Sequence, residues 1–300
     1  MHAALDYAAL VEALRAQFAA EATAPVRSSH AVTPAGDRLL LMPAWDGVSI
    51  GVKIVTVFPG NRARSLPSVA ALYVLMDGTT GHPIALIDGE ALTLRRTGAA
   101  SALASSYLSR EDASHLVLVG TGALAPFMAE AHSAVRSIER ISVWGRTPAH
   151  VERTVAALVS KGMPAEPATS LRAALDDADI VSCATTAREP LVRGSDVRNG
   201  THVDLVGAFT PDMRESDDAL VSRATLFVDT FAGALKEGGD LVQPMSRGVI
   251  ARESIRAELA DLVSGAHPGR RTRDEITLFK SVGTGVEDLC AARLVAHRLA

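Results

Sequence analysis

Cysteine is scarce in this 300-residue chain. Cys183 and Cys290 lie far apart in apolar segments. That excludes a disulfide framework and a thiolate metal site, and it predicts reduced, buried thiols in a cytoplasmic protein. No uninterrupted apolar run approaches the ~18–20 residues that cross a bilayer as a helix, so no membrane partner is expected. A marked excess of one charge is missing as well: a net charge of −4 gives no basic footprint and excludes nucleic acid and acidic lipid as natural partners. Internal repeats, low-complexity tracts and long charge runs are also absent. What is present, 48% apolar and 21% charged residues, is the composition of a soluble globular protein with core enough for about two domains.

The N-terminal stretch MHAALDYAALVEALRAQFAA carries apolar residues at Tyr7, Val11, Leu14 and Phe18. This is helical spacing, and it predicts an amphipathic helix rather than the continuous apolar core of a signal peptide.

Residues 116–125, LVLVGTGALA, form the most specific local pattern. An apolar strand enters a glycine turn and a helix follows. Gly120 permits the tight turn, Gly122 lets backbone approach a pyrophosphate, and Ala125 stands where a third small residue lets helix pack on strand. The loop backbone of Thr121, Ala123 and Leu124 would then face the phosphates at a helix N-terminus. A second strand, ISVWGR, ends about 20 residues further on in Gly145-Arg146-Thr147, where an NAD site usually places an acid. An arginine there would pair with a 2′-phosphate and Thr147 would add a hydroxyl, so NADP(H) is favoured over NAD(H). Arg146 also fits a solvated surface arginine, and Thr147-Pro148 an ordinary helix start.

Residues 110–284 alternate β-rich runs with helical segments: HLVLVG, RISVWG, ADIVSCAT, THVDLVGA and ATLFVDT. This is the pattern of an α/β, Rossmann-type doubly wound parallel sheet. Ligands of such sheets sit at the carboxyl ends of strands, which directs attention to Thr185-Thr186 and to Gly207-Ala208-Phe209.

Residues 1–109 read differently, as an α+β module, with the helical segment at 285–300 expected to pack back onto it. SIGVKIVTVF, AALYVLMD and PIALIDG read as antiparallel strands, with Asp77-Gly78-Thr79-Thr80-Gly81 as a hairpin turn and a helix from about Thr93. Parity puts Lys53 on the strand face opposite Val48, Ile50, Val52 and Ile54, among small or apolar neighbours. If that face is buried the ammonium needs an anion, which an anionic substrate would supply; otherwise Lys53 is an exposed strand lysine. Arg95-Arg96 near the predicted helix start oppose the helix dipole and call for a compensating anion, while Thr97 has a hydroxyl for a phosphate. Arg27, in APVRSSHAV, is a weaker candidate by itself.

Together these segments resemble the ornithine cyclodeaminase/mu-crystallin family. The resemblance runs in order through MPA at 42–44, GVKIVTVFPGN at 51–61, TGHPIALIDGEALTLRRTGAASALAS at 80–105, GTGALA at 120–125, WGRT at 144–147, VGAFTPDMRESDD at 206–218, ALKEGGD at 234–240 and FKSVGTGVEDL at 279–289. It implies a homodimer with an N-terminal substrate-binding and dimerisation domain and a central Rossmann domain. It implies that Arg27, Lys53 and Arg96 grip a substrate carboxylate, and it adds Gly283 to the cofactor contacts. One departure matters. Where cyclodeaminases and related alanine dehydrogenases of the family carry an aspartate after VG, this chain has Phe209, which can neither bind an ammonium nor accept a proton. FTPDMRE is more similar to the ketimine reductases of the family. The implied activity is reduction of delta-1-pyrroline-2-carboxylate or delta-1-piperideine-2-carboxylate to L-proline or L-pipecolate, with Phe209 lining the ring pocket. The alternatives are ornithine cyclodeamination, another amino-acid dehydrogenase, and a non-catalytic crystallin-like binder. Asp212 is read as an exposed turn residue.

Overall fold

A computed structural model describes residues 5–64 and 66–299; the first four residues of the predicted N-terminal helix lie outside them. The chain divides into two compact units, residues 1–97 with 283–300 and residues 98–282.

Unit 1 begins with α1 (Tyr7–Ala19), started by Asp6, whose side chain accepts from the Ala9 amide at 3.0 Å. An antiparallel meander follows: β1 (Ser28–Ala31), β2 (Arg38–Trp45), β3 (Ser49–Val57), β4 (Val69–Asp77) and β5 (Pro83–Asp88), paired in that order. Asp77 closes the β4–β5 turn by accepting from the Thr79 and Thr80 amides at 2.9 and 2.7 Å. In β3 the face holding Ser49, Gly51, Lys53 and Val55 is buried and the alternate positions are less so. Tyr73, Leu75 and Ile87 continue that core on β4 and β5. The opposite face leaves Leu72, Ile84 and Leu86 exposed.

The helix after β5, α2 (Gly89–Leu108), starts earlier than the expected Thr93. The Asp88 carboxylate accepts from the Glu90 and Ala91 amides at 3.0 and 3.1 Å and sets the start there. Arg95 and Arg96 therefore sit in the second turn, where the opposing dipole has largely faded. The division between the units falls inside this helix, after Thr97, rather than after residue 109. The reason is that the small buried side chains from Ala99 to Leu108 belong to the packing of unit 2.

Unit 2 is an eight-stranded, wholly parallel sheet. In chain order its elements are β6 (His115–Val119), α3 (Ala125–Ser133), β7 (Arg140–Trp144), α4 (Pro148–Val159), β8 (Ala165–Pro167), α5 (Leu171–Asp176), β9 (Ile180–Cys183), β10 (His202–Leu205), α6 (Asp218–Arg223), β11 (Thr225–Val228), α7 (Phe231–Glu237), α8 (Gly239–Ser246), β12 (Ile255–Glu258), α9 (Leu259–Ser264) and β13 (Thr277–Lys280). Strand order is β12-β11-β13-β10-β9-β6-β7-β8. Beyond the five strands expected, the sheet holds β8, β12 and β13, runs of three or four residues. Strands β6, β9, β10 and β13 are buried at every position. They are covered on both faces, as a parallel sheet requires, by clusters around Val181, Val203 and Leu278 on one side and Leu116, Met128 and Ile141 on the other. Chain order reverses between β6 and β9, which makes that crevice the topological switch point.

The chain then returns to unit 1 as α10 (Gly285–Leu299), which packs against α1 and β2–β5. Both thiols are buried and unpaired. Among the described residues no helix is long and apolar enough to cross a membrane, and no His/Cys/Asp/Glu group has the arrangement of a metal site.

Candidate active site

The centre of unit 1 holds a buried ion cluster. Strand parity turns Lys53 inward, leaving it 2% exposed on the central strand of the meander. Its Nζ lies 2.8 and 2.7 Å from the two carboxylate oxygens of Asp288 and donates to Thr93 Oγ1 at 3.3 Å. Arg96, 5% exposed, donates from Nε to Asp288 Oδ1 at 2.9 Å and from Nη1 to Glu287 Oε2 at 2.5 Å. Arg27 donates from Nη2 to the Gly283 carbonyl at 2.9 Å. Gly283 adopts φ +81°, and a Cβ there would stand 2.5 Å from Arg96 Nη1. The glycine thus lets the chain pass flat against one guanidinium while its carbonyl holds another. Gly283, expected among the cofactor contacts, is part of this cation cluster.

The anion that Lys53 and Arg96 require is supplied by the chain itself, not by a substrate alone. Glu287 and Asp288 are fully buried in the first turn of α10. Arg27 adds a third positive charge close enough to act on Asp288. Burial, aided by the neighbouring Arg96, pushes the Lys53 ammonium down to about 8 in spite of Asp288. Burial would raise Asp288, but Arg96 and Lys53 outweigh it and hold that carboxyl below its ordinary value. Arg95 diverges from its neighbour and stacks on Tyr7, its guanidinium carbon 4.8 Å from the ring centroid. Thr97 is buried on α2 with its hydroxyl bonded to nothing among the described residues.

Unit 2 presents a cradle of a different kind. Gly120, at the end of β6, has φ +117°, and a Cβ there would meet the Ala184 carbonyl oxygen at 2.8 Å. Gly122 has open space where a Cβ would be. The amides of Thr121, Gly122, Ala123 and Leu124 find no acceptor among the described residues at the N-terminus of α3. Free N–H groups, a side-chain-free approach and a helix dipole in one loop at the switch point fit the pyrophosphate of a dinucleotide. Gly145, at the end of β7, lies against the Thr121 side chain. Arg146 and Thr147 follow, both exposed. Arg146 has no ionic partner among the described residues, and Thr147 occupies the N-cap of α4 without bonding the helix amides.

Thr185 follows β9 and Gly207 follows β10, and both bond to Glu215. Phe209, in the loop after β10, is 36% exposed. Asp212 is an exposed turn residue that accepts from Thr210 Oγ1 at 2.6 Å and pairs with Arg188.

The sequence profile of the ornithine cyclodeaminase/mu-crystallin family matches residues 2–300. The chain belongs to this family. A delta(1)-pyrroline-2-carboxylate reductase of Paracoccus denitrificans is 41% identical over 298 residues, 99% of this chain and 94% of its own length. The delta(1)-pyrroline-2-carboxylate reductase of Thermococcus litoralis, solved with NADH and L-proline, is 37% identical with a TM-score of 0.93, over 97% of this chain and 93% of that one. An archaeal alanine dehydrogenase dimer with bound NAD is 28% identical with a TM-score of 0.92, over 99% and 92% of the two chains.

Two groups of site residues escape sequence reasoning. Glu287 and Asp288 look like ordinary acids favouring a helix N-terminus. The signal they offered is that GVEDL sets them between the apolar Val286 and Leu289. Glu215 lies in the charged run PDMRESDD, which reads as a surface loop, although it is fully buried.

Proposed function

We propose that this chain is an NAD(P)H-dependent reductase of a cyclic ketimine carboxylate, delta-1-pyrroline-2-carboxylate or delta-1-piperideine-2-carboxylate, forming L-proline or L-pipecolate. The observation that carries the proposal is the buried cluster that gathers the Lys53, Arg96 and Arg27 side chains around Asp288 and the Gly283 carbonyl, a set of cations suited to a substrate carboxylate. The Paracoccus and Thermococcus relatives, named for the five-membered ring, support the reaction class.

A bound dinucleotide supplies the hydride. Arg27, Lys53 and Arg96 bind the carboxylate and orient the ring, and Gly283 acts with them by keeping Arg96 in place. Lys53 Nζ holds the proton that keeps the imine nitrogen protonated and electrophilic; its lowered proton affinity suits it to exchange near neutral pH. Phe209 offers an apolar side chain in place of an ammonium-binding acid. Gly120 to Leu124, Gly145, Thr185 and Gly207 form the dinucleotide site. Arg146, exposed and unpaired, and Thr147 favour NADP(H) over NAD(H).

The exposed Leu72, Ile84 and Leu86 on one face of the unit 1 sheet support a homodimer, the form of the archaeal alanine dehydrogenase. A cytoplasmic site of action belongs to the same proposal, since two cysteines left unbridged fit a reducing compartment.

The deciding experiment is nicotinamide oxidation with both cyclic imines, run beside an ammonia assay with L-ornithine and NAD. Imine-dependent oxidation without ammonia is the expected result. Ammonia release from ornithine would replace the proposal with cyclodeamination, and binding without turnover of any of these compounds would replace it with a ligand-binding role.

A further inference from the structure

Unit 2 buries an acid that the chemistry above does not use. Glu215 lies in the loop between β10 and α6 and is 0% exposed. Its Oε1 accepts from the Thr185 amide at 2.7 Å and from the Thr185 hydroxyl at 2.9 Å. Its Oε2 accepts from the Gly207 and Ala208 amides at 2.8 and 3.2 Å. All four partners donate, so only a side chain with two acceptor oxygens satisfies them together. The Glu215 backbone is itself anchored. Its amide donates to Asp240 Oδ1 at 2.8 Å, and its carbonyl accepts from the Leu191 and Val192 amides at 2.9 Å.

Thr185 continues β9, and Gly207 and Ala208 continue β10; the two strands are neighbours in the parallel sheet, with Cys183 opposite Leu205. The carboxyl ends of such strands are where a doubly wound sheet receives its ligand. Resting on the dinucleotide reading above, we propose that Glu215 is a positioning residue whose carboxylate ties the exits of β9 and β10 into the single arrangement that binds the dinucleotide.

The brace is sensitive to protonation. Facing it are Cys183 from β9, Asp240 from α8 and Lys280 from β13, with Lys280 Nζ 3.1 Å from Asp240 Oδ2. Burial pushes the Glu215 carboxyl up to about 7, with Lys280 opposing and Asp240 adding to the rise. A protonated carboxyl replaces an acceptor with a donor, and the three backbone amides cannot receive it; only a group that can turn, the Thr185 hydroxyl or the Cys183 thiol, can. Whichever oxygen carries the proton, the tie to the backbone amides on that oxygen then weakens. Glu215→Gln has the same shape and the same shortage of acceptors at every pH.

The test titrates wild type and Glu215→Gln with NADH, which carries no 2′-phosphate to titrate, at pH about 6 and about 8. In parallel, hydrogen exchange is measured without dinucleotide and normalised for intrinsic rates. At the higher pH the variant should bind NADH roughly tenfold or more weakly, the scale of one buried donor left unsatisfied. Wild-type affinity should fall towards that of the variant at the lower pH while the variant stays flat, and the amides of residues 185 and 207–208 should lose protection in the variant. Equal affinity and protection of the two proteins at the higher pH, or a wild-type affinity indifferent to pH, would overturn the brace. A wild type that binds neither NADH nor NADPH would overturn the proposed function and this inference with it.

Discussion

The two units prepare for an anion by opposite means. In unit 1 the buried groups are side-chain cations, Lys53 and Arg96, answered by side-chain acids on α10. In unit 2 the loop after β6 carries no charged side chain, and its free backbone amides are themselves the anion-seeking groups. An ion cluster can be tuned by one substitution because each partner has a full charge and a fixed distance. A backbone cradle can only be spoiled, by adding atoms where glycine leaves space. Specificity for an acid substrate suits the first design, and general affinity for a pyrophosphate suits the second.

The contrast breaks hardest at Lys53. Lys53→Ala and Arg96→Ala should each lower kcat/KM for the imine on the order of 10²–10⁴-fold, with NADH affinity nearly unchanged. Each also leaves a buried acid short of a partner and should cost about 3–5 kcal/mol of stability in denaturant titration. Loss of NADH binding as the main effect would contradict the division of labour. Gly120→Ala should do the reverse. A side chain at φ +117° costs about 1–3 kcal/mol in backbone strain alone, and it meets the Ala184 carbonyl. Calorimetry should therefore find NADH and NADPH binding weakened at least roughly fivefold, with the imine-binding cluster intact.

A pH profile sharpens the comparison without mutation. Lys53 has a folded value of about 8, below its ordinary 10.5, so it loses its proton as pH rises through about 8. kcat/KM should fall about tenfold per pH unit above that midpoint. NADH affinity should not follow, and a profile flat to well above pH about 9 would remove Lys53 from the proton chemistry. The smallest effect belongs to Arg146→Ala. An exposed ionic contact is worth little, so the preference for NADPH over NADH should narrow only about two- to fivefold in competitive binding.

How much of this was legible along the chain follows the range of the interactions. The turn at Gly120 depends on residues within ten positions, and the inward face of Lys53 depends on strand parity. Both could be read locally, as could the alternation that makes a parallel sheet. The start of α2 was missed because Asp88 ends a strand and caps a helix at once, and only the cap hydrogen bonds reveal the second role. The partners of Lys53 and Arg96 lie 235 and 191 positions away, and no local pattern encodes such a pairing. Glu215 was hidden for another reason. Its neighbours Arg214 and Asp218 pair with each other and give the segment a surface composition, whereas the acid between them turns inward to backbone donors.

The position of α10 in the chain has a consequence for the order in which the protein matures. The acids that balance Lys53 and Arg96 are translated only after all of unit 2 has been made. Until then the meander has two inward cations with no counter-charge, and closing its core around them would strand bare charge out of water. Unit 1 should therefore stay open on the ribosome while the parallel sheet of unit 2 is already able to collapse. Docking of α10 then acts as a completion signal: unit 1 becomes a stable compartment only once unit 2 has been fully synthesised.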